Sequence, residues 1–347
     1  LHIAEQRGDD IFLITSTKKR CSEFSKNAFN LKPLIAFPIP YYKELDVVFL
    51  PYTRVAKVLD EIRPDFLHIS TPALVGFQGL RYAKKHKIPV LGTYHTDFPS
   101  YVKVNTKSSF LSFLTRKYLR YFYKDFRLVF TRSDAYIKTL KQDILFPNTI
   151  VKSLKIGINT TKFTPSYKET RERIKIKRFL YVGRITKEKN IDLILELFQK
   201  YIDKRKARLI MVGDGNISHY RKKYPNESIE FVGKKEGEEL YRLYANSDFF
   251  LFPSLTDTLG QVVLEALSCA TPVVVSQVGG PKEILLKADK QIGYVLDTNN
   301  PADWLDTIQA IIYDKIDIDY LSSNAREFAR TLDIEQTYKD FLQAHQV

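Results

Sequence analysis

Short runs of Val, Ile, Leu and Phe recur along this chain, separated by segments with helical periodicity, and that alternation most restricts the fold. The apolar runs are residues 10–15, 65–70, 90–94, 128–131 and 150–155, then 178–182, 208–212, 229–232, 249–252, 272–276 and 292–296. Between them, segments such as 53–62, 77–86, 190–201, 236–245 and 260–269 repeat apolar residues at the helical spacing. Strands alternating with helices make βαβ units and parallel sheets. Two series, of five and six strands, predict an α/β protein of two Rossmann-like domains. A chain of 347 residues accommodates both at ~100–200 residues per domain. The join is expected near Lys162 to Arg173, giving domains over 1–165 and 166–330. Residues 331–347 read as a further helix with Ile334, Tyr338, Phe341 and Leu342 along one side.

The charge is unevenly spread. Of 54 Lys+Arg and 40 Asp+Glu, residues 1–172 hold 29 and 15, whereas residues 173–347 hold 25 of each. The whole excess of +14 therefore lies in the first series, as expected of a domain that meets a polyanion or an anionic membrane. No helix-turn-helix, zinc finger or RNP-type aromatic pattern points to nucleic acid. No G-x-G-x-x-G follows an early strand, which argues against a dinucleotide oxidoreductase. Cys21 and Cys269 alone make no disulfide framework and fit a reducing cytosol. No run approaches the ~18–20 apolar residues of a spanning helix, so any membrane association is expected to be peripheral.

Two segments carry candidate chemistry. Phe179-Leu-Tyr-Val-Gly-Arg-Ile-Thr-Lys-Glu-Lys-Asn reads as a strand, then Gly183, then a loop with Arg184, Lys187 and Lys189 before a helix. In an open α/β sheet such a turn faces the ligand crevice, and two cations over a helix N-terminus suit a diphosphate. A tight turn with solvated cations would read the same way. The second segment, Phe252 to Leu267, ends a strand, places Asp257 in a loop and leads through Thr258, Leu259 and Gly260 into a helix bearing Glu265. Free amides at Thr258, Leu259 and Gly260 would suit phosphate. Glu265 could accept hydrogen bonds from ribose hydroxyls, or could be a solvated helix residue. His95 follows the apolar run 90–94, at the carboxyl end where crevice residues sit. His68, inside a strand, reads as structural. Asp317-Ile-Asp319 has the form of a metal-binding pair but lies in a turn-prone region away from the other motifs, so it reads as surface and no metal is expected.

Taken in order, residues 179–190, Met211-Val-Gly-Asp-Gly, Phe231-Val-Gly, Ala245-Asn-Ser-Asp-Phe-Phe-Leu-Phe-Pro-Ser and 257–265 resemble the GT-B glycosyltransferases of the GT4 type. His68-Ile-Ser-Thr-Pro-Ala-Leu-Val-Gly, Thr93-Tyr-His-Thr-Asp and Phe98-Pro-Ser-Tyr resemble the branch of lipid mannosyltransferases and sulfoquinovosyl-diacylglycerol synthases. The resemblance implies two Rossmann-like domains facing a central cleft, with the last helix returning to the first domain. It implies that Arg184 and Lys189 clamp a donor diphosphate and that Glu265 holds the nucleotide ribose. Asp257 stands where the family has a glutamate that contacts the transferred sugar. Thr258 and Leu259 would meet phosphate and sugar through their amides, Val232 and Gly233 would border the base pocket, and His95 would face the sugar. The implied activity is retaining transfer of a hexose from a UDP- or GDP-sugar to a membrane lipid or glycolipid, without a metal or other cofactor. Nucleotide sugar, lipid acceptor and the cytoplasmic face of an anionic membrane are the expected partners; nucleic acid is not. A soluble or lipopolysaccharide glycan as acceptor, and a non-catalytic relative that binds lipid or carbohydrate, are the alternatives. The resemblance also leads one to expect a strand before Leu1, since residues 1–7 match the family's first helix.

Residues 103–127 hold Lys103, Lys107, Arg116, Lys117, Arg120, Lys124 and Arg127 against Asp125 alone. At ~100° per residue, Phe110, Leu111, Leu114, Tyr118, Tyr121 and Phe122 share one helical face. Arg116, Lys117, Arg120 and Lys124 fall roughly opposite, with Phe113 and Tyr123 beside them. This is the composition of an interfacial membrane helix; equally, the apolar stripe could pack on its own domain.

Overall fold

The computed structural model describes residues 2–17, 27–39, 42–131, 135–154, 157–169, 176–257, 259–332 and 334–345. The first series begins with α1 (His2–Arg7), β1 (Leu13–Thr15), β2 (Ala28–Asn30), β3 (Ile35–Ile39), β4 (Tyr42–Phe49), α2 (Tyr52–Ile62) and β5 (Leu67–Ile69). It continues through α3 (Leu74–His86), β6 (Val90–Tyr94), α4 (Phe98–Thr106), α5 (Ser109–Tyr123), β7 (Leu128–Thr131), α6 (Ala135–Thr139) with a π turn at Leu140–Ile144, and β8 (Ile150–Ser153). The second series opens with β9 (Lys177–Val182), α7 (Ile191–Tyr201), β10 (Ala207–Val212), α8 (Ile217–Lys223), β11 (Ile229–Gly233), α9 (Gly237–Ala245), β12 (Phe249–Phe252) and α10 (Gln261–Ser268). It closes with β13 (Val273–Ser276), α11 (Gly280–Leu286), β14 (Gly293–Leu296), α12 (Pro301–Ile312), α13 (Ile318–Arg330) and α14 (Ile334–His345).

These elements form two compact units. One comprises residues 1–95, 109–154 and 335–347, and the other 96–108 and 155–334. The second contains a six-stranded parallel sheet in the order β11-β10-β9-β12-β13-β14. Helices cover both faces of such a sheet, so its central strands are apolar on both sides; Phe179, Leu180 and Tyr181 of β9 and Phe249 to Leu251 of β12 have no exposed surface. Around them Ile194, Phe198, Leu267, Trp304 and Ala325 from the flanking helices complete one core. The order reverses between β9 and β12, and a ligand crevice forms at the carboxyl ends of strands where the order reverses.

The first unit has a four-stranded parallel sheet, β5-β6-β7-β8, and a separate parallel pair, β1-β2. The apolar rhythm did not reveal β2, nor the antiparallel ribbon β3-β4, in which Ile35 faces Phe49 and Phe37 faces Val47. Prolines at 33, 38 and 40 interrupt the alternation there, and a hairpin lacks the intervening helix that marks a βαβ unit.

The last helix, α14, belongs to this first unit. Its Ala344 packs with Leu91, Leu128 and Phe130, and the Tyr338 hydroxyl donates to Asp9 at 2.8 Å. Burial lowers the pKa of His345 and, with the neighbouring charges of His345 and His95, brings that of His68 down to about 3, so both rings are neutral at pH 7. Their tautomers follow from their partners. The Phe341 carbonyl, 2.6 Å from His345 Nδ1, can only accept, so Nδ1 holds the proton and Nε2 accepts from His68 Nδ1 at 2.9 Å. His68 Nε2 then accepts from the Thr93 hydroxyl at 2.8 Å. His68 is thus a link from α14 to β5 and β6, consistent with its structural reading.

Candidate functional site

Gly183 directly follows β9, Gly213 directly follows β10 and Gly233 ends β11, three adjacent strands of the sheet. Gly183 donates to Val212 O at 3.0 Å and Gly213 to Gly233 O at 2.9 Å. The backbones are packed so tightly that a Cβ on Gly213 would sit 1.9 Å from the Gly183 carbonyl oxygen. Val232 and Gly233, expected beside a base pocket, therefore stand at the same strand ends as Gly183. The hydroxyl of buried Tyr181 donates to the Arg184 carbonyl at 2.9 Å, fixing the turn that carries the cations. Burial first, and then the Asp257 and Glu188 carboxylates, hold that phenol well above its ordinary pKa.

Past Gly183 a 3-10 turn over Lys187–Lys189 precedes Asn190, whose left-handed backbone (φ 53) starts α7. Lys187 is exposed on this turn, whereas Glu188 and Lys189 are buried. Lys189 Nζ reaches Asp257 Oδ2 at 2.6 Å, with the side chains 9% and 22% exposed. Arg184 instead pairs with Glu188 at 3.1 Å and lies over the ring of Tyr101, 5.7 Å from its centroid. Glu188 is fully buried. Its Oε1 also receives the Thr186 hydroxyl at 2.7 Å, while its Oε2 has no hydrogen-bond partner among the described residues.

Asp257 is held from several sides. Its Oδ2 accepts from the Ser254 hydroxyl, its carbonyl accepts from Gly280 N at 3.0 Å, and Thr96 pairs with it in an antiparallel bridge. Burial of Asp257 works to raise its pKa, but Lys189, Ser254 and Arg184 outweigh that and keep the carboxyl below the usual range. Thr96 is the residue after His95, which is half-buried at the end of β6. The segment 96–108, although it follows a strand of the first unit, is packed with the second. Its helix α4 is capped by Asp97, which accepts from Ser100 N at 3.2 Å.

Glu265 lies in the second turn of α10, where its Oε2 accepts from the Tyr244 hydroxyl at 2.9 Å. Burial raises its pKa and the Tyr244 hydrogen bond opposes this. The helix begins one residue later than the sequence suggests. Gly260, with φ 77 and ψ 63, is its N-cap, so the amides opening the first turn are those of Gln261 and Val262 rather than Leu259 and Gly260. The reason is steric: glycine enters the left-handed region most readily, and a Cβ at 260 would meet Pro281 at 2.8 Å. Thr258 lies outside the described residues. Asp317 caps α13, its Oδ1 accepting from Tyr320 N at 2.9 Å, which gives Asp317-Ile-Asp319 a helix-capping role.

The basic, aromatic helix α5 is turned differently from the expected wheel. Its buried seam runs through Ser112, Leu119, Phe122 and Tyr123. Phe110, Leu111, Phe113, Leu114, Tyr118 and Tyr121 are all exposed, Phe110 at 67% and Tyr121 at 60%. The cations lie among these rings rather than opposite them: Lys117 is 5.4 Å from the Phe113 centroid and Lys124 4.4 Å from that of Tyr121. Arg116 and Arg120 are half-buried, Arg120 over Phe146 at 4.8 Å. Lys103 and Lys107, on α4 and its C-cap, are exposed. No helix among the described residues is long and apolar enough to cross a membrane.

The sequence singles out Arg184, Lys189 and Asp257 but gives no role to the residues that the structure places against them. Glu188, Ser254, Thr96, Tyr101 and Tyr181 all lie inside the segments that carry the resemblance, yet none has a spacing that marks it as a support. Gly213-Asp-Gly215 offers a signal of its own, because two close glycines after a strand imply a tight backbone approach.

Two family models match the chain. Glycosyltransferase Family 4 matches residues 3–162 and Glycosyl transferases group 1 matches residues 166–328. The sulfoquinovosyl transferase SQD2 of Arabidopsis thaliana is 26% identical over 93% of the chain. The alpha-monoglucosyldiacylglycerol synthase of Streptococcus pneumoniae is 26% identical over 83%, and a GDP-mannose-dependent alpha-mannosyltransferase of Mycobacterium tuberculosis is 28% identical over 68%. The chain spans 64%, 68% and 61% of the lengths of these relatives. Among solved structures, sucrose-phosphate synthase from Thermosynechococcus elongatus superposes with a TM-score of 0.77 at 17% identity, covering 99% of this chain and 90% of that one. Anabaena HepE in complex with UDP and glucose gives 0.69 at 17% identity, covering 84% and 80%.

Proposed function

The chain belongs to the GT4-type glycosyltransferases of the GT-B fold, and from that premise we propose that it is a retaining hexosyltransferase acting on a membrane lipid or glycolipid. The observation that carries the reading is the pairing of Lys189 with Asp257, 2.6 Å apart, beside Arg184 at the strand ends where the sheet order reverses. A nucleoside diphosphate leaves only as fast as its growing charge is neutralised. Arg184, Lys189 and the first turn of α10 supply that positive potential in a partly buried setting. Glu265 accepts from ribose hydroxyls, Val232 and Gly233 border the base, and Asp257 accepts from hydroxyls of the sugar. In the step itself the bond from the anomeric carbon to the diphosphate oxygen breaks. The acceptor oxygen bonds the same face of that carbon, and its proton passes to the departing phosphate oxygen. His95 donates to the sugar. No further cofactor enters this scheme.

The lipid acceptor is supported by the relatives, which include a sulfoquinovosyl transferase and an alpha-monoglucosyldiacylglycerol synthase. The exposed rings of α5 with Lys117 and Lys124 among them supply a surface of the kind that lies on an anionic leaflet. A thermal-shift panel of UDP- and GDP-sugars tests the enzyme reading. At least one is expected to raise the melting temperature, and Lys189→Ala to abolish the rise. Failure of every nucleotide to stabilise the chain overturns the proposal.

A further inference from the structure

Two cations and two carboxylates meet at the ends of β9 and β12, each cation holding one carboxylate, but the two pairs are unlike. Glu188 is fully buried, and its Oε1 is already shared between Arg184 at 3.1 Å and the Thr186 hydroxyl at 2.7 Å. Withdrawing Arg184 would leave a fully buried carboxylate with the Thr186 hydroxyl but no cation, and with Oε2 lacking a hydrogen-bond partner among the described residues, which is strongly unfavourable. Asp257 is 22% exposed, and the Ser254 hydroxyl donates to the same Oδ2 that Lys189 holds. It can lose Lys189 and keep a donor. Its main chain is fixed by Gly280 N and by the Thr96 bridge, so the exchange needs side-chain motion only.

We propose that Lys189–Asp257 is an exchangeable ion pair by which the site distinguishes a nucleotide sugar from the bare nucleoside diphosphate. When a nucleotide sugar binds, Lys189 turns to the phosphate and hydroxyls of the sugar take its place on Asp257. A nucleoside diphosphate also takes Lys189, but among the described residues it leaves Asp257 with Ser254 as its side-chain hydrogen-bond donor, a carboxylate facing phosphate charge at short range. The inference rests on the glycosyltransferase reading and extends it to release. Once the hexose has gone to the acceptor, Asp257 competes with the diphosphate for Lys189 and favours its departure.

Calorimetric titration of the full chain with UDP, GDP, UDP-glucose and GDP-mannose tests this. For the base that the wild-type chain accepts, Asp257→Asn is expected to bind the nucleoside diphosphate on the order of tenfold tighter and its nucleotide sugar no tighter. Asp257→Glu, which returns a carboxylate, should restore the wild-type ratio. Ser254→Ala removes the donor that remains to Asp257 after exchange, so it should weaken nucleoside diphosphate binding. Unchanged or weaker diphosphate binding in a folded Asp257→Asn chain, equal tightening of both ligands, or no effect of Ser254→Ala overturns the inference. Binding of a nucleotide by the wild type together with any of those results leaves the glycosyltransferase reading standing. No binding of any of the four overturns both.

Discussion

Gly213 shows how closely the backbones approach at the strand ends that carry the site. With φ at 140 it occupies a region that residues with a Cβ rarely enter, and an alanine Cβ would lie 1.9 Å from the Gly183 carbonyl oxygen. Neither atom belongs to a flexible side chain, so β9 and β10 must part. The loss also reaches Arg184, whose position depends on the Gly183 turn and on the Tyr181 hydroxyl. Gly213→Ala is therefore expected to lower stability by about 3 kcal/mol or more, at the upper end of single substitutions, and to weaken nucleotide binding. Thermal unfolding with and without the stabilising nucleotide reads both. A variant that melts with the wild type would show that the two strand ends have room that the distance denies.

Among the elements, the attachment of α14 depends on protonation. With both rings neutral, hydrogen bonds run from Thr93 through His68 and His345 to Phe341. Folding holds the His68 pKa at about 3, against 6.5 in the unfolded chain, and lowers that of His345. The unfolded state thus binds more protons below pH 6.5. The contribution of this link is complete above that value and declines as pH falls toward about 3. Hydrogen exchange of residues 334–345 should accelerate across that window while the core of the second unit stays protected. His345→Phe keeps the ring among Phe66, Phe130 and Phe341 but leaves His68 Nδ1 without its acceptor. We expect it to cost roughly 1–3 kcal/mol at neutral pH and to flatten the acid dependence of exchange. Elements such as β6, β7 and β12 were legible to the residue in the sequence, because strands buried on both faces leave unbroken apolar runs. The face that α5 buries was not. A helical wheel sorts polar from apolar, yet the seam passes through small Ser112 beside Phe122 and Tyr123, leaving most of the aromatic stripe in solvent. In the site, Lys189 and Asp257 could be read because they stand in loops after strands. Glu188 could not, since a carboxylate between two lysines looks solvated until the 3-10 turn folds it inward.

For the whole molecule, sequence order and spatial grouping part company at two places. Residues 96–108 leave the first series to pack with the second, bringing Thr96 to Asp257 and Tyr101 to Arg184, while residues 335–347 leave the second to complete the first. The uneven charge acquires a location through the fold as well. The excess of Lys and Arg lies in residues 1–172, the part that contains α5, where Lys117 and Lys124 flank exposed rings. Each cation near an anionic leaflet contributes ~1 kcal/mol and each inserted ring adds apolar burial, so electrostatic and apolar contributions should be separable. Wild-type chain is expected to sediment with vesicles containing anionic lipid, less so at high salt, and weakly with neutral vesicles. Phe110, Phe113 and Tyr121 are 67%, 50% and 60% exposed, so their joint replacement by Ser should leave the melting temperature nearly unchanged. That triple variant should lose most of the vesicle binding that persists at high salt, whereas Lys117→Gln with Lys124→Gln should reduce chiefly the salt-sensitive part. Equal binding of wild type and the triple variant to anionic vesicles at every salt concentration would remove α5 as the contact surface.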